Sequence, residues 1–105
     1  MAGPFGVRGH PKGYARYTVS TTALTLSTAP TAGDTLPDGA VTMLIQNLDS
    51  TNDVRWRDDG TAPTATEGMR LEAGAIMEYD GDLAAFQMIR EDAGDVSVVI
   101  SYYGI

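Results

Sequence analysis

Short stretches of this chain alternate apolar and polar residues, which is the pattern of a β-strand that buries one face. The alternation is clearest at Val96, Val98, Ile100 and Tyr102, which are separated by serine, valine and serine. A shorter run begins at Val54 and stops at an Asp-Asp-Gly turn. Strands are therefore predicted at residues 14–20, 23–27, 41–47, 54–57, 69–72, 75–79, 83–90 and 96–103.

One predicted strand carries apolar residues on both of its faces. In residues 41–47, Val41 and Met43 share a face with Ile45, whereas Leu44 points to the other side. Because a strand with one solvated face keeps that face polar, Leu44 suggests burial on both sides.

Glycine, proline and aspartate separate the predicted strands. Residues 29–40 form a loop that contains a Pro37-Asp38-Gly39 turn. Residues 83–90 fit helical and strand spacing alike, and the turns on both flanks favour a strand. About eight short antiparallel strands without a helix of ordinary length predict an all-β fold, specifically a single jelly-roll-like β-sandwich.

The first part of the chain differs in composition from the remainder. Residues 1–13 contain four glycines and two prolines, which predicts an extended N-terminal arm ahead of a β-sandwich domain at 14–105. At 105 residues the chain has room for one domain. No apolar run is long enough for a signal peptide or a membrane span, so we expect a soluble protein that does not bind membranes.

Charge is distributed unevenly along the chain. Residues 1–33 contain three basic residues and no acidic ones, whereas residues 34–105 contain four arginines and all fourteen acids, a net charge of −10. The overall charge of −7 argues against nucleic acid as a partner. The arm is either a terminus without a role or a segment that docks on an acidic neighbour. The predicted partner-binding residues are Phe5, Arg8, Lys12, Tyr14 and Arg16, together with Arg55 and Arg57.

The chain offers little for catalysis. It has no cysteine, and its one histidine, His10, lies in the arm, where nothing local would hold an imidazole in place. The acidic pairs in 58–60 and 80–82 precede or flank glycine, which is typical of tight turns, although a weak calcium site is an open alternative. We therefore expect no enzyme and no bound cofactor.

Trp56 has two interpretations. It alternates with Arg55 and Arg57, which favours a core anchor whose neighbouring arginines face solvent or a partner. Alternatively, the ring is a stacking platform for a sugar, with Tyr79, Tyr102 or Tyr103 as further platforms. The second interpretation predicts a carbohydrate-binding module with at least one ring exposed.

Residues 54–69, VRWRDDGTAPTATEGM, resemble part of small bacteriophage virion proteins. The resemblance continues at 78–83 and 98–103 and touches 13–14 and 18–20, while the loop at 29–40 is longer than in that family. It implies a β-sandwich present in many copies on the virion, without catalytic residues.

The resemblance also implies the partners. We expect a capsid decoration or cement protein that binds the major capsid protein or other virion proteins and forms a homo-oligomer, preferably a trimer. A neck or tail component, such as a ring or fibre-attachment subunit, is the alternative within the same family.

Overall fold

A computed structural model describes residues 9–104, so Phe5 and Arg8 lie outside the described residues. Within this range the chain forms nine β-strands and one short 3₁₀ helix. Their bounds are β1 (His10–Val19), β2 (Leu24–Thr25), β3 (Ala32–Gly33), β4 (Ala40–Asn47), β5 (Val54–Arg57), β6 (Met69–Leu71), β7 (Ile76–Tyr79), the helix (Leu83–Ala85), β8 (Gln87–Arg90) and β9 (Val96–Gly104).

The strands form two antiparallel sheets. One sheet has the order β3-β1-β9-β4-β7 and the other has the order β2-β8-β5-β6. The predicted all-β, sandwich-like fold is confirmed. Apart from the short β3, the strands pair in a nested order along the chain, with β1 on β9, β2 on β8, β4 on β7, and β5 on β6.

One core lies between the two sheets. Alternate residues of β9, namely Val96, Val98, Ile100 and Tyr102, are all buried, as their alternation predicted. Burial of each large apolar side chain contributes roughly 1.5–3 kcal/mol. The four-stranded sheet and its flanks supply the opposite half of the core, in the side chains of Leu26, Val54, Leu71, Phe86 and Met88.

The N-terminal arm was predicted to end at residue 13, but the structure places residues 10–13 in the first strand. β1 begins at His10 and pairs with β9, so residues 10–13 belong to the sheet. β3 pairs with β1 only at Ala15 and Arg16, so β1 is an edge strand at Pro11. The N–H that proline lacks would therefore have no strand partner on that side, and its absence costs little stability. Gly9 has φ +98°, and a side chain there would meet the carbonyl oxygen of Gly104.

Two further predictions fail for local reasons. Val41, expected on the buried face, is 48% exposed, because the register shifts between Ala40 and Thr42 and takes Val41 out of the alternation. Residues 83–85 form the 3₁₀ helix in place of a strand, because the Asp82 side chain accepts hydrogen bonds from the backbone amides of the second and third helical residues.

Asn47 is the buried polar side chain of the core. Its Nδ2 donates to the carbonyl oxygens of Asn52 (2.9 Å) and Leu71 (3.1 Å), and its Oδ1 accepts from the backbone N–H of Asp49 (2.8 Å). Its own backbone N–H and C=O bond to Ala75 and Gly74. One residue therefore fastens the end of β4 to the end of β6 and to two loops.

We expect Asn47→Ala to lower the free energy of unfolding by about 2–3 kcal/mol, because it leaves the buried carbonyl of Leu71 and the partly buried carbonyl of Asn52 without hydrogen-bond donors. Denaturant titration of the variant against wild type measures this loss. Ser50→Ala, in the exposed turn beside it, is the matched control and should change stability by under about 0.5 kcal/mol. Equal effects of the two substitutions would contradict the role given to Asn47.

Two buried tyrosines of the five-stranded sheet differ in how their hydroxyls are satisfied. Tyr17 Oη lies 2.8 Å from the carbonyl oxygen of Leu26 and 3.0 Å from that of Thr28. Tyr102 Oη is buried close enough to the Tyr17 hydroxyl to affect its pKa, but no atom among residues 9–104 meets hydrogen-bond geometry with it. Burial raises the pKa of both hydroxyls, so both stay protonated at neutral pH.

The same substitution at these two positions should give opposite results. Tyr17→Phe removes the donor that satisfies Leu26 and should cost about 1–2 kcal/mol, whereas Tyr102→Phe removes an unpaired hydroxyl and should be neutral or stabilising. Denaturant unfolding of both variants tests the difference. A greater loss for Tyr102→Phe than for Tyr17→Phe would reverse this assignment.

Candidate protein-binding surface

The structure places five of the predicted partner-binding residues in three separate regions. Lys12 is exposed near the start of β1, beside Gly39 and Gly104. Tyr14 and Arg16 lie on the outer side of the five-stranded sheet, and the remaining two arginines, of β5, lie on the four-stranded sheet. The predicted residues therefore do not form one continuous patch.

Arg55 and Arg57 already have partners within the chain. Arg55 donates from Nε to Glu91 Oε1 (2.6 Å) and from Nη1 to the carbonyl oxygen of Gly68 (2.9 Å). Arg57 binds both carboxylate oxygens of Asp59, at 3.1 and 2.5 Å. These contacts occupy the guanidinium groups that were predicted to meet solvent or a partner.

Arg55 belongs to a charge network on the four-stranded sheet. Arg55 of β5 is directly opposite Arg70 of β6, an arrangement in which two like charges repel. Glu91 lies between them and accepts from Arg70 Nε and Nη2 at 2.9 and 3.0 Å. The bonds from Arg70 and then Arg55 lower the pKa of Glu91, so this carboxylate neutralises the repulsion within the sheet.

The outer face of the five-stranded sheet is defined here by two rows of residues that cross β1, β9, β4 and β7. Each row follows the pairing register of the strands, so its residues lie side by side. The first row is Tyr14, Ser101, Leu44 and Glu78, and the second is Arg16, Val99, Gln46 and Ile76.

The outer face carries more apolar side chains than is usual for an exposed surface, and no other part of residues 9–104 packs over it. Tyr14 is 50% and Ile76 is 41% exposed, and both line a shallow concavity of about 160 Å³ with Leu44 and Val99. Leu48, 49% exposed, follows β4 on the same side, with its N–H bonded to the carbonyl oxygen of Ser97. Clustered exposed apolar side chains are typical of an interaction site.

Sequence reasoning predicted Tyr14 and Arg16 as partner-binding residues and identified Leu44 as apolar on a second face of its strand, but it did not identify the other members of this face. The signal was present, because Leu44 and Val99 occupy the solvent-side positions of strands whose alternation is otherwise clear. The pairing of β7 with β4, which adds Glu78 and Ile76, depends on the register of strands far apart in sequence.

The rings considered as sugar platforms are largely covered. Trp56 stacks on Phe86 with ring centroids 5.1 Å apart and contacts the edge of Tyr79 at 5.6 Å. Tyr79 and Tyr102 are buried, and Tyr103 is half-buried. Trp56 is therefore a partly buried ring packed against the core, and because none of the four rings is exposed, the carbohydrate hypothesis has no fully exposed platform among them.

Three of the four carboxylates in the predicted turns, namely Asp58, Asp59 and Asp82, have structural partners. Asp58 Oδ2 accepts from Tyr79 Oη at 2.5 Å, and burial together with this carboxylate raises the pKa of Tyr79 well above its ordinary value. Gly60 has φ +86°, as the turn after Asp59 requires. His10 is exposed on β1 opposite Gly104, so its backbone is fixed by the sheet and not part of a free arm.

One group of three carboxylates was not predicted from the sequence. Oxygen atoms of Asp53, Glu91 and Asp92 lie within 4.8 Å of one another. Glu91 is bound by two arginines, Asp53 Oδ1 accepts from the N–H of Ala73, and Asp92 Oδ2 accepts from the N–H of Asp53. These bonds account for the cluster as a fastening between strands.

Comparison with known protein families, curated proteins and solved structures finds no match to this chain. Within residues 9–104, no helix has the length and apolar character needed to cross a bilayer. The functional interpretation therefore depends on the strand order and on the chemistry of the surface.

We expect Glu91→Gln to destabilise the fold by about 1 kcal/mol at neutral pH, because Arg55 and Arg70 then face each other without a shared carboxylate. Since the folded-state pKa of Glu91 is lowered, its contribution is complete above its ordinary value of 4.5 and is lost as the pH falls through the folded value. The stability difference between variant and wild type should therefore shrink in acid. Asp38→Asn, an exposed neutralisation, is the control, and a pH-independent difference would argue against the network.

Proposed function

We propose that this chain is a structural protein of a bacteriophage virion, a decoration or cement protein that binds the major capsid protein and stabilises the shell. It works by protein–protein contact and not by catalysis. The observation that carries the proposal is the order in which the strands pair.

The nested pairing supports a jelly roll. Without β3, the sheets read β1-β9-β4-β7 and β2-β8-β5-β6, and every connection except β5 to β6 crosses from one sheet to the other. Two sheets of four strands in this order are consistent with the double-sheet jelly roll, an architecture used by viral capsid domains and also by lectins and cupins. Because a fold hosts several functions, a second observation must choose among them.

We prefer the virion role among them because residues 54–69 resemble small virion proteins, a resemblance that no family match supports. Its most distinctive stretch, 54–69, corresponds to β5, a surface loop and the start of β6, and most residues of the loop are exposed. Burial in a core does not dictate the identity of exposed loop residues, and loops on a rigid scaffold commonly carry binding functions. The resemblance therefore involves a surface as well as a core pattern.

The shell contact we propose lies at the end of the sandwich where β1 begins. Lys12 is exposed there, and in sequence it follows Arg8 at the basic start of the chain. Loops 34–39 and 80–82 lie at the same end and carry four aspartates, whereas residues 20–23 and 48–53 lie at the opposite end. The proposed contact is therefore made by the basic start of the chain and not by these loops. A basic contact with an acidic shell surface is sensitive to salt.

Deleting residues 1–8 should weaken binding to shells that lack this protein by about tenfold, and Lys12→Glu should act in the same direction. The deletion stops before β1, since a deletion of 1–13 would remove paired strand residues and confuse binding with folding. Binding is measured by co-sedimentation at two salt concentrations, with thermal unfolding as the check on the fold. Thr22→Glu, at the opposite end, is the control, and unchanged binding by both variants would exclude this contact.

Copy number separates decoration from the neck or tail alternative. Quantitative mass spectrometry of purified particles should find this chain in numbers comparable with the major shell subunit. The number of copies of a single ring would support the neck or tail assignment and contradict decoration. Absence of the chain from the particle would contradict both.

A further inference from the structure

We propose that the outer face of the five-stranded sheet binds the outer face of a second copy of this chain around a two-fold axis. The face has an apolar centre, a positive charge on β1, which is the second strand from one edge of the sheet, and a negative charge on β7 at the other edge. This arrangement is complementary to itself.

The first observation is the two-sided apolar pattern of the central strands. Met43 and Ile45 of β4 are buried between the sheets, while Leu44 is only half-buried on the outer side. Val99 of β9 has the same half-buried position beside it. Strands with apolar residues on both faces are typical of sheets covered on both faces, and within residues 9–104 the second sheet covers only one.

The second observation is the placement of charge. Arg16 lies on β1 at one side of the outer face, and Glu78 lies on β7 at the other side, one row away. Three strand spacings separate them, roughly 14 Å. Neither side chain forms an ion pair within the part of the chain that the structure describes.

A two-fold axis lying in the interface, between β9 and β4, satisfies both observations. Rotation about this axis exchanges the two edges, so Arg16 of one copy comes to Glu78 of the other and the pair occurs twice. Stacked sheets lie about 10 Å apart, and their strand directions are inclined by about 30°. An extended arginine side chain can span that distance to reach the glutamate of the other copy. Tyr14, Leu44 and Val99 then contact the apolar centre of the partner copy.

The size of the face sets the strength of the contact. Three strands of eight to ten residues and the four-residue β7 cover at most roughly 19 Å by 26 Å. This area is small compared with standard interfaces of about 800 Å² per partner. We therefore expect a dimer that dissociates on dilution in the micromolar range. A two-fold contact closes at two copies, so this interface by itself yields a dimer and not the trimer expected from the sequence.

Sedimentation velocity across a dilution series tests the proposal, with thermal unfolding of each variant as the check on folding. Wild type should pass from dimer to monomer on dilution, and Ile76→Glu should be monomeric where wild type is dimeric. Arg16→Glu and Glu78→Arg should each weaken the dimer by about fivefold to tenfold, because each substitution disrupts both of the symmetry-related ion pairs in the dimer. The double variant Arg16→Glu with Glu78→Arg should restore the wild-type dissociation constant to within about twofold.

Met69→Glu is the matched control, since Met69 is 62% exposed but belongs to the four-stranded sheet. It should leave the dimer unchanged. The proposal is overturned by a monomer at every concentration, by a trimer, by a dimer that Ile76→Glu does not affect, or by a double charge reversal that fails to restore pairing. Because self-association is measured without any particle, these outcomes do not depend on whether the proposed virion role is correct.

Discussion

The pairing of β9 with β1 on one side and β4 on the other holds this structure together. β9 hydrogen-bonds to both neighbours over nearly its whole length, and its inward side chains cross the centre of the core. Without β9 the five-stranded sheet separates into β3-β1 and β4-β7, which share no direct pairing. The register of β9 also fixes which residues of three strands reach the outer face, since a slip of one residue exchanges the two faces.

The parts of the fold that could be predicted from the sequence are those where local pattern and tertiary environment agree. The burial of Val54 and of the alternate residues of β9 could be predicted from the simple alternation of apolar and polar residues. The exposure of Val41 could not be predicted in this way. It results from a bulge in the pairing of β4 with β9, and a bulge does not change the alternation of residues in the sequence. The helix at 83–85 likewise depends on a single capping carboxylate, whose effect is stronger than the spacing of apolar residues.

The candidate site was predicted only in part, for a related reason. A basic residue in the sequence indicates a charge, but whether that charge is available depends on carboxylates brought from elsewhere. Glu91 is far from Arg55 along the chain yet bonds to it directly, and Asp59 holds Arg57. Arg16 has no such neighbour in the described residues, and Tyr14 has no apolar layer above it. Apolar residues at solvent-side positions therefore indicate this candidate surface more directly than basic residues do.

The nested strand order has a consequence for how the protein is made. β1 is synthesised early, but its long-range partner begins only at Val96, after all the other strands. At about 5–20 residues per second, the intervening stretch takes on the order of 4 to 15 s to translate. During that interval β1 and β4 lack the strand that joins them in the sheet, so their inward-facing side chains stay exposed until β9 is made.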